Sequence, residues 1–169
     1  EFEDYLECLT LLGEDKGFSK EEIEKICDRF AEYVTNEWEK QKAEFKIENT
    51  VLIKYTGLDS VVDIPYGITE IGEYAFSDSN SVIEIRVPNS VKTLQEYAFS
   101  CCANVERIIL CEGLRSIHHG AFECCDKLHI TLPNSVDYIE AGFCISAAEI
   151  AVHSDNTRYA VDDCCFIDI

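Results

Sequence analysis

From about residue 60 onward the apolar positions recur in one frame. A short alternating run comes first: Val62 and Ile64 around Asp63, Ile85 and Val87 around Arg86, Ile108 and Leu110 around Ile109, Ile130 and Leu132 around Thr131. Period two predicts a strand with one buried and one exposed face. A pair three apart follows: Ile68/Ile71, Val91/Leu94, Leu114/Ile117 and Val136/Ile139. Each block then reaches a small residue and a phenylalanine, at Ala75-Phe76, Ala98-Phe99, Ala121-Phe122 and Gly142-Phe143, with the phenylalanines 23, 23 and 21 residues apart. A fixed period in the twenties predicts a solenoid with one strand-containing unit per turn. No single unit can bury its own apolar face. Stacking at the strand spacing of about 4.8 Å aligns like residues into ladders and makes one continuous core.

Pro65, Pro88 and Pro133 follow the first strand at matching places, and Cys111 stands there in the third block. Proline has no N–H, so it ends pairing and turns the chain. Val87-Pro88-Asn89-Ser90-Val91, Leu132-Pro133-Asn134-Ser135-Val136 and Ala98-Phe99-Ser100-Cys101-Cys102 resemble the BspA-like (Treponema pallidum-type) leucine-rich repeat family over residues 45 to 169. The resemblance implies an α/β, right-handed leucine-rich-repeat solenoid with 23-residue units. The expected units are 58–80, 81–103, 104–126 and 127–148, with caps at 45–57 and 149–169. Residues 45–55 resemble the family's opening hairpin, with Thr50 where glycine is usual. Residues 156–167 resemble its closing hairpin, with Cys164 at the glycine position.

Residues 1–44 lack the repeat and predict an N-terminal helical hairpin. Ser19 followed by Glu22 is a capping box, and Phe18 and Ile23 occupy staple positions. Ile23, Ile26, Cys27, Phe30, Val34, Trp38, Gln41 and Phe45 then follow the spacing of one helix face. An earlier helix would hold Phe2, Tyr5, Leu6, Leu9 and Leu12 and end at Gly13. The expected role is an N-terminal cap for the solenoid, with a separate docking module as the alternative.

Charge narrows the partners. The net charge is −19, with −8 on residues 1–48 and −11 on the rest, so the acidity is spread and marks no tail. Nucleic acid and anionic membranes call for clustered Lys and Arg, and none is present. No apolar run reaches the length of a membrane span. No signal peptide is visible at the start, which lacks an initiator methionine and so says nothing of secretion. The resemblance implies a cell-surface or secreted location, and reduced cysteines would imply a cytoplasmic one.

Ten cysteines raise a second possibility. Stacked units would bring Cys101, Cys102, Cys124 and Cys125 together, with His118 and His119 in the preceding turn. Thiolates with imidazole suit zinc or copper(I). No Cys-x-x-Cys pattern occurs, however, and adjacent side chains diverge. The expectation is therefore no metal and no cofactor, with Cys102 and Cys125 as small buried ladder residues. In the family the position of Cys101 and Cys124 commonly holds glycine. That turn is then either not left-handed or strained. His118, His119, His129 and His153 sit in no nucleophile elbow, zinc helix or phosphate loop, which argues against catalysis.

Function is expected on the shared strand face. Asp63, Arg86, Ile109, Thr131 and Ala151 form its outward column, flanked by Glu84, Arg107, His129 and Glu149. Arg86, Arg107, Ile109, His129 and Thr131 are the candidate contacts for a protein partner, in a non-catalytic binding or adhesion-type module. The alternative is a thiol-based metal-binding or redox protein using the four clustered cysteines.

Overall fold

A computed structural model describes residues 10–11, 15–144, 146–162 and 165–168. The chain divides into two compact units, 1–42 and 43–169.

In the first unit, helix α1 (Lys20–Glu44) begins where the capping box places it. The Glu22 carboxylate accepts from the Ser19 backbone N–H at 2.9 Å, and the Ser19 hydroxyl accepts from the Glu22 N–H at 3.4 Å. These bonds satisfy N–H groups that a helix start leaves without partners. Ile23 is buried, whereas Ile26 and the staple residue Phe18 stay exposed. The side chains of Val34, Trp38 and Gln41, and the expected first helix over residues 2–12 apart from 10 and 11, lie outside the described residues. Phe45 does not belong to the helical stripe; it opens the first strand.

The second unit is a β-solenoid. β1 (Phe45–Glu48) and β2 (Val51–Tyr55) form the opening antiparallel hairpin. Its left-handed residue is Asn49 (φ 57°), one place before Thr50, and asparagine tolerates that conformation better than a β-branched threonine does. Each turn then contributes two strands. The longer ones, β3 (Val61–Asp63), β5 (Glu84–Val87), β7 (Arg107–Leu110), β9 (His129–Leu132) and β11 (Glu149–Val152), form a parallel five-stranded sheet. The three-apart pairs mark the shorter ones: β4 (Glu70–Ile71), β6 (Thr93–Leu94), β8 (Ser116–Ile117) and β10 (Tyr138–Ile139). With β1 and β2 these make a six-stranded sheet. β12 (Tyr159–Asp162) and β13 (Cys165–Asp168) close the chain as an antiparallel pair; Cys164 lies outside the described residues.

The register is one repeat per strand: Asp63 faces Arg86, Arg86 faces Ile109, and Glu84 faces Arg107. Like residues therefore stack. Tyr55, Phe76, Phe99 and Phe122 form an aromatic ladder with ring centroids 5.1, 5.1 and 5.6 Å apart. The three phenylalanines are fully buried. Phe143 ends the ladder edge-on, at 6.4 Å and 82°, where the spacing between phenylalanines falls from 23 residues to 21.

The Asn-Ser motif locks successive corners. Ser90 and Ser135 each accept, through the side-chain oxygen, the N–H of a glycine in the preceding turn: Gly67 at 3.2 Å and Gly113 at 2.8 Å. At the far end, buried Asn156 accepts from the N–H groups of Arg158 and Tyr159, both at 2.9 Å, and donates to the Pro133 carbonyl. Tyr159, also buried, accepts the Ile139 N–H at 3.0 Å. A terminal turn leaves backbone groups with no next strand, and these side chains satisfy them.

Candidate functional site: the strand face

The five-stranded sheet turns one face inward and presents the other. Ile85, Ile108 and Ile130 are buried, while Asp63, Arg86, Ile109 and Thr131 are exposed; Ala151 is half-buried. Pairing between β7 and β9 covers only Arg107–His129 and Ile108–Ile130. Ile109, 43 % exposed, and Thr131 thus lie just past the last paired position. Along the start of the strands runs a groove of about 590 Å³, lined by Ile83, Glu84, Glu106, Arg107, Asp126, Lys127, His129 and Ala148. The groove brings Arg107 and His129 together; Arg86, Ile109 and Thr131 lie on the adjoining sheet surface and do not line it.

Two of the expected contacts are already engaged. Glu84 is buried on the outward side, 7 % exposed, between two arginines. Arg107 binds one carboxylate oxygen, and Arg86 holds the other through Nη2 at 2.8 Å and Nε at 2.9 Å. Arg86 also reaches Asp63 at 3.3 Å. Arg86 and Arg107 are therefore not a free basic pair. Asp63 and Glu84 balance the two arginines, and what remains is a pair of guanidiniums held in fixed positions. The alternation pattern placed Glu84 on the solvent side but could not show that two long side chains cover it.

The hydrogen bond from Arg107 holds the Glu84 carboxyl below the ordinary carboxylate range; burial opposes this, and Arg86 adds to the lowering. In the unfolded chain the group titrates near about pH 4.3. The pair's contribution to stability is therefore complete above that pH and is lost as pH falls through the lower folded-state value. The stability deficit of Glu84→Gln, measured by urea unfolding, is expected to shrink as pH falls from about 6 toward 3.5. A deficit that stays constant across that range would show that the ionised pair is not its source.

Each histidine ring has its own hydrogen-bond partner. His129 Nδ1–H donates to the Lys127 carbonyl at 3.0 Å, and His119 Nδ1–H to the Ala141 carbonyl at 2.8 Å. His118 Nδ1 pairs with Glu140 at 3.1 Å. His153 Nδ1 accepts the Asp155 N–H.

Six copies of the BspA type leucine-rich repeat match residues 45–167. The chain belongs to this family. A leucine-rich repeat protein of T. pallidum aligns at 26 % identity over 65 % of this chain and 68 % of its own, with a TM-score of 0.55. One from Bacteroides capillosus aligns at 28 % identity over 65 % and 93 %, with a TM-score of 0.57. No curated protein sequence matches the chain.

Against the BspA-type pattern, Cys101 and Cys124 are the departure within the two cysteine pairs. The structure does not bring their four sulfurs to one point but divides them into two columns. Cys102 and Cys125 are buried, and each donates its thiol to a phenylalanine carbonyl of the preceding turn, Phe76 and Phe99, at 3.1 Å. The adjacent Cys102 thiol, together with burial, pushes the Cys125 thiol far above its ordinary range. Cys101 and Cys124 are exposed and left-handed, at φ 57° and 55°, so the turn the family usually makes with glycine is kept, at a backbone cost. Among the described residues, no group of three or more Cys, His, Asp or Glu side chains is arranged to hold a metal ion. No helix among them is long and apolar enough to cross a membrane.

Proposed function

We propose that this BspA-type solenoid is a non-catalytic module that binds a protein partner through the strand face around Arg86, Arg107, Ile109, His129 and Thr131. The observation that carries the reading is the clamped Glu84 network on a parallel sheet. Each strand there is held by its neighbours, and both arginines are fixed before contact, so little side-chain entropy is lost on binding. Fixed arginines beside an exposed isoleucine have the composition of a contact hot spot. The groove next to them offers a cleft for a partner side chain. The family's general character as an interaction and adhesion fold supports the same reading, although a fold by itself names no ligand.

The test must leave Glu84 paired, because removing either arginine would strand a buried carboxylate and confuse folding with binding. The informative variant is Ile109→Asp with Thr131→Arg, compared with Glu73→Lys on the opposite edge. Against a purified partner, isothermal titration is expected to show a loss of about tenfold or more for the strand-face pair, in line with a hot spot above about 1 kcal/mol. Glu73→Lys should bind as the wild type does. Unchanged affinity in the first variant with a loss in the second would move the site to the other edge.

A further inference from the structure

The outer cysteine column has no packing role to explain it. Cys101 and Cys124 are exposed, unlike the buried Cys102 and Cys125 beside them. They stand at consecutive left-handed positions, where the first unit places Asp78 (φ 63°) and where a side chain brings only strain compared with glycine. Their shared φ sends both side chains out of adjacent turns in the same direction. The turns are pinned at this point by the Cys101 N–H, which donates to the Glu123 carbonyl at 2.8 Å. Adjacent solenoid turns bring equivalent Cα atoms to about 4.8 Å, inside the range of about 4.4–6.8 Å that a disulfide spans.

We infer that Cys101 and Cys124 are an oxidisable dithiol that closes to a cross-unit disulfide by exchange with low-molecular-weight disulfides. In the first step one of the two thiolates, written here as Cys124, attacks one sulfur of a disulfide RSSR. A mixed Cys124–S–S–R bond forms, and RS⁻ leaves and takes up a proton. In the second step the Cys101 thiolate attacks the Cys124 sulfur, expels the second RS⁻ and closes the Cys101–Cys124 bond. The protein gives up two electrons and two protons, and the small disulfide is reduced to two thiols. Cys102 and Cys125 are equally in register, but burial keeps a small disulfide from reaching them. The closed bond would staple the unit at 81–103 to the unit at 104–126, and neither cysteine lines the groove or belongs to the long strands, so the two inferences fail separately.

The test is incubation of the full chain with oxidised glutathione, followed by intact mass and non-reducing peptide mapping. Cys101 and Cys124 are expected to lose both thiols and to appear in one cross-linked peptide pair without retained glutathione. Cys101→Ser is expected to stop the reaction at a glutathione adduct on Cys124, and Cys124→Ser to stop it at an adduct on Cys101. Persistent glutathione on both cysteines of the wild type, a cross-link joining Cys102 to Cys125 in place of this pair, or no reaction at Cys101 and Cys124 would each overturn the inference.

Discussion

Phe99→Ala is expected to destabilise the solenoid by roughly 3–5 kcal/mol, the range for emptying a fully buried aromatic site. Phe99 has no solvent exposure and stacks between Phe76 at 5.1 Å and Phe122 at 5.6 Å. The backbone around it is tied to both neighbouring turns: the Phe99 N–H donates to the Ala121 carbonyl, and the Phe76 N–H to the Ala98 carbonyl. The turns therefore cannot collapse into the cavity without breaking those bonds, so most of the lost contact stays lost. Adjacent turns depend on one another for their core, and the loss is felt across the array and not in one unit alone. Urea unfolding would read the effect as a lower midpoint at similar slope. A shift below about 1 kcal/mol would remove the aromatic ladder as a main source of cohesion.

Gly120→Ala is the second large effect, expected at about 2 kcal/mol. Three turns share one left-handed position, 23 residues apart: Tyr74 (φ 53°), Tyr97 (φ 56°) and Gly120 (φ 62°). The two tyrosines show that a side chain can be carried there, so backbone strain alone does not require glycine. What requires it is the ring of Tyr97, whose edge would collide with a Cβ at position 120. That ring is held on its other side by Tyr74, parallel at 5.1 Å and 3°. A double-mutant cycle separates the causes. In a Tyr97→Ala background the penalty at 120 is expected to fall to about 1 kcal/mol, the backbone share. An equal penalty in both backgrounds would exclude the ring contact.

The repeat was legible because a solenoid writes its contacts into its period. Phe76, Phe99 and Phe122 touch because they are 23 residues apart, and the same arithmetic placed Asp63, Arg86 and Ile109 in one column. The capping box at Ser19 and Glu22 was equally local and equally readable. Spacing does not report how far a side chain reaches. Glu84 read as one more outward polar residue, and only the geometry of Arg86 and Arg107 shows that it is buried and that the arginines are committed to it. The left-handed place in the opening hairpin fell on Asn49, because a turn is set by both strands it joins and not by the position that usually holds glycine. Asn156 carried no periodic signal at all. It serves the end of the stack, which occurs once, and a pattern built on repetition is blind to it. The buried column of Cys102 and Cys125 was legible because the repeat puts both on the ladder; that Cys101 and Cys124 keep the left-handed turn was not, because spacing does not report φ.

The central claim is that the long-strand sheet is the docking surface, and amide hydrogen exchange with and without a purified partner tests it most directly. The account predicts that added protection concentrates in β5, β7 and β9 and in the groove residues around Lys127, with the turns at 73–78 and 96–101 unchanged. Protection confined to those turns, with the strand face exchanging as in the free protein, would contradict it.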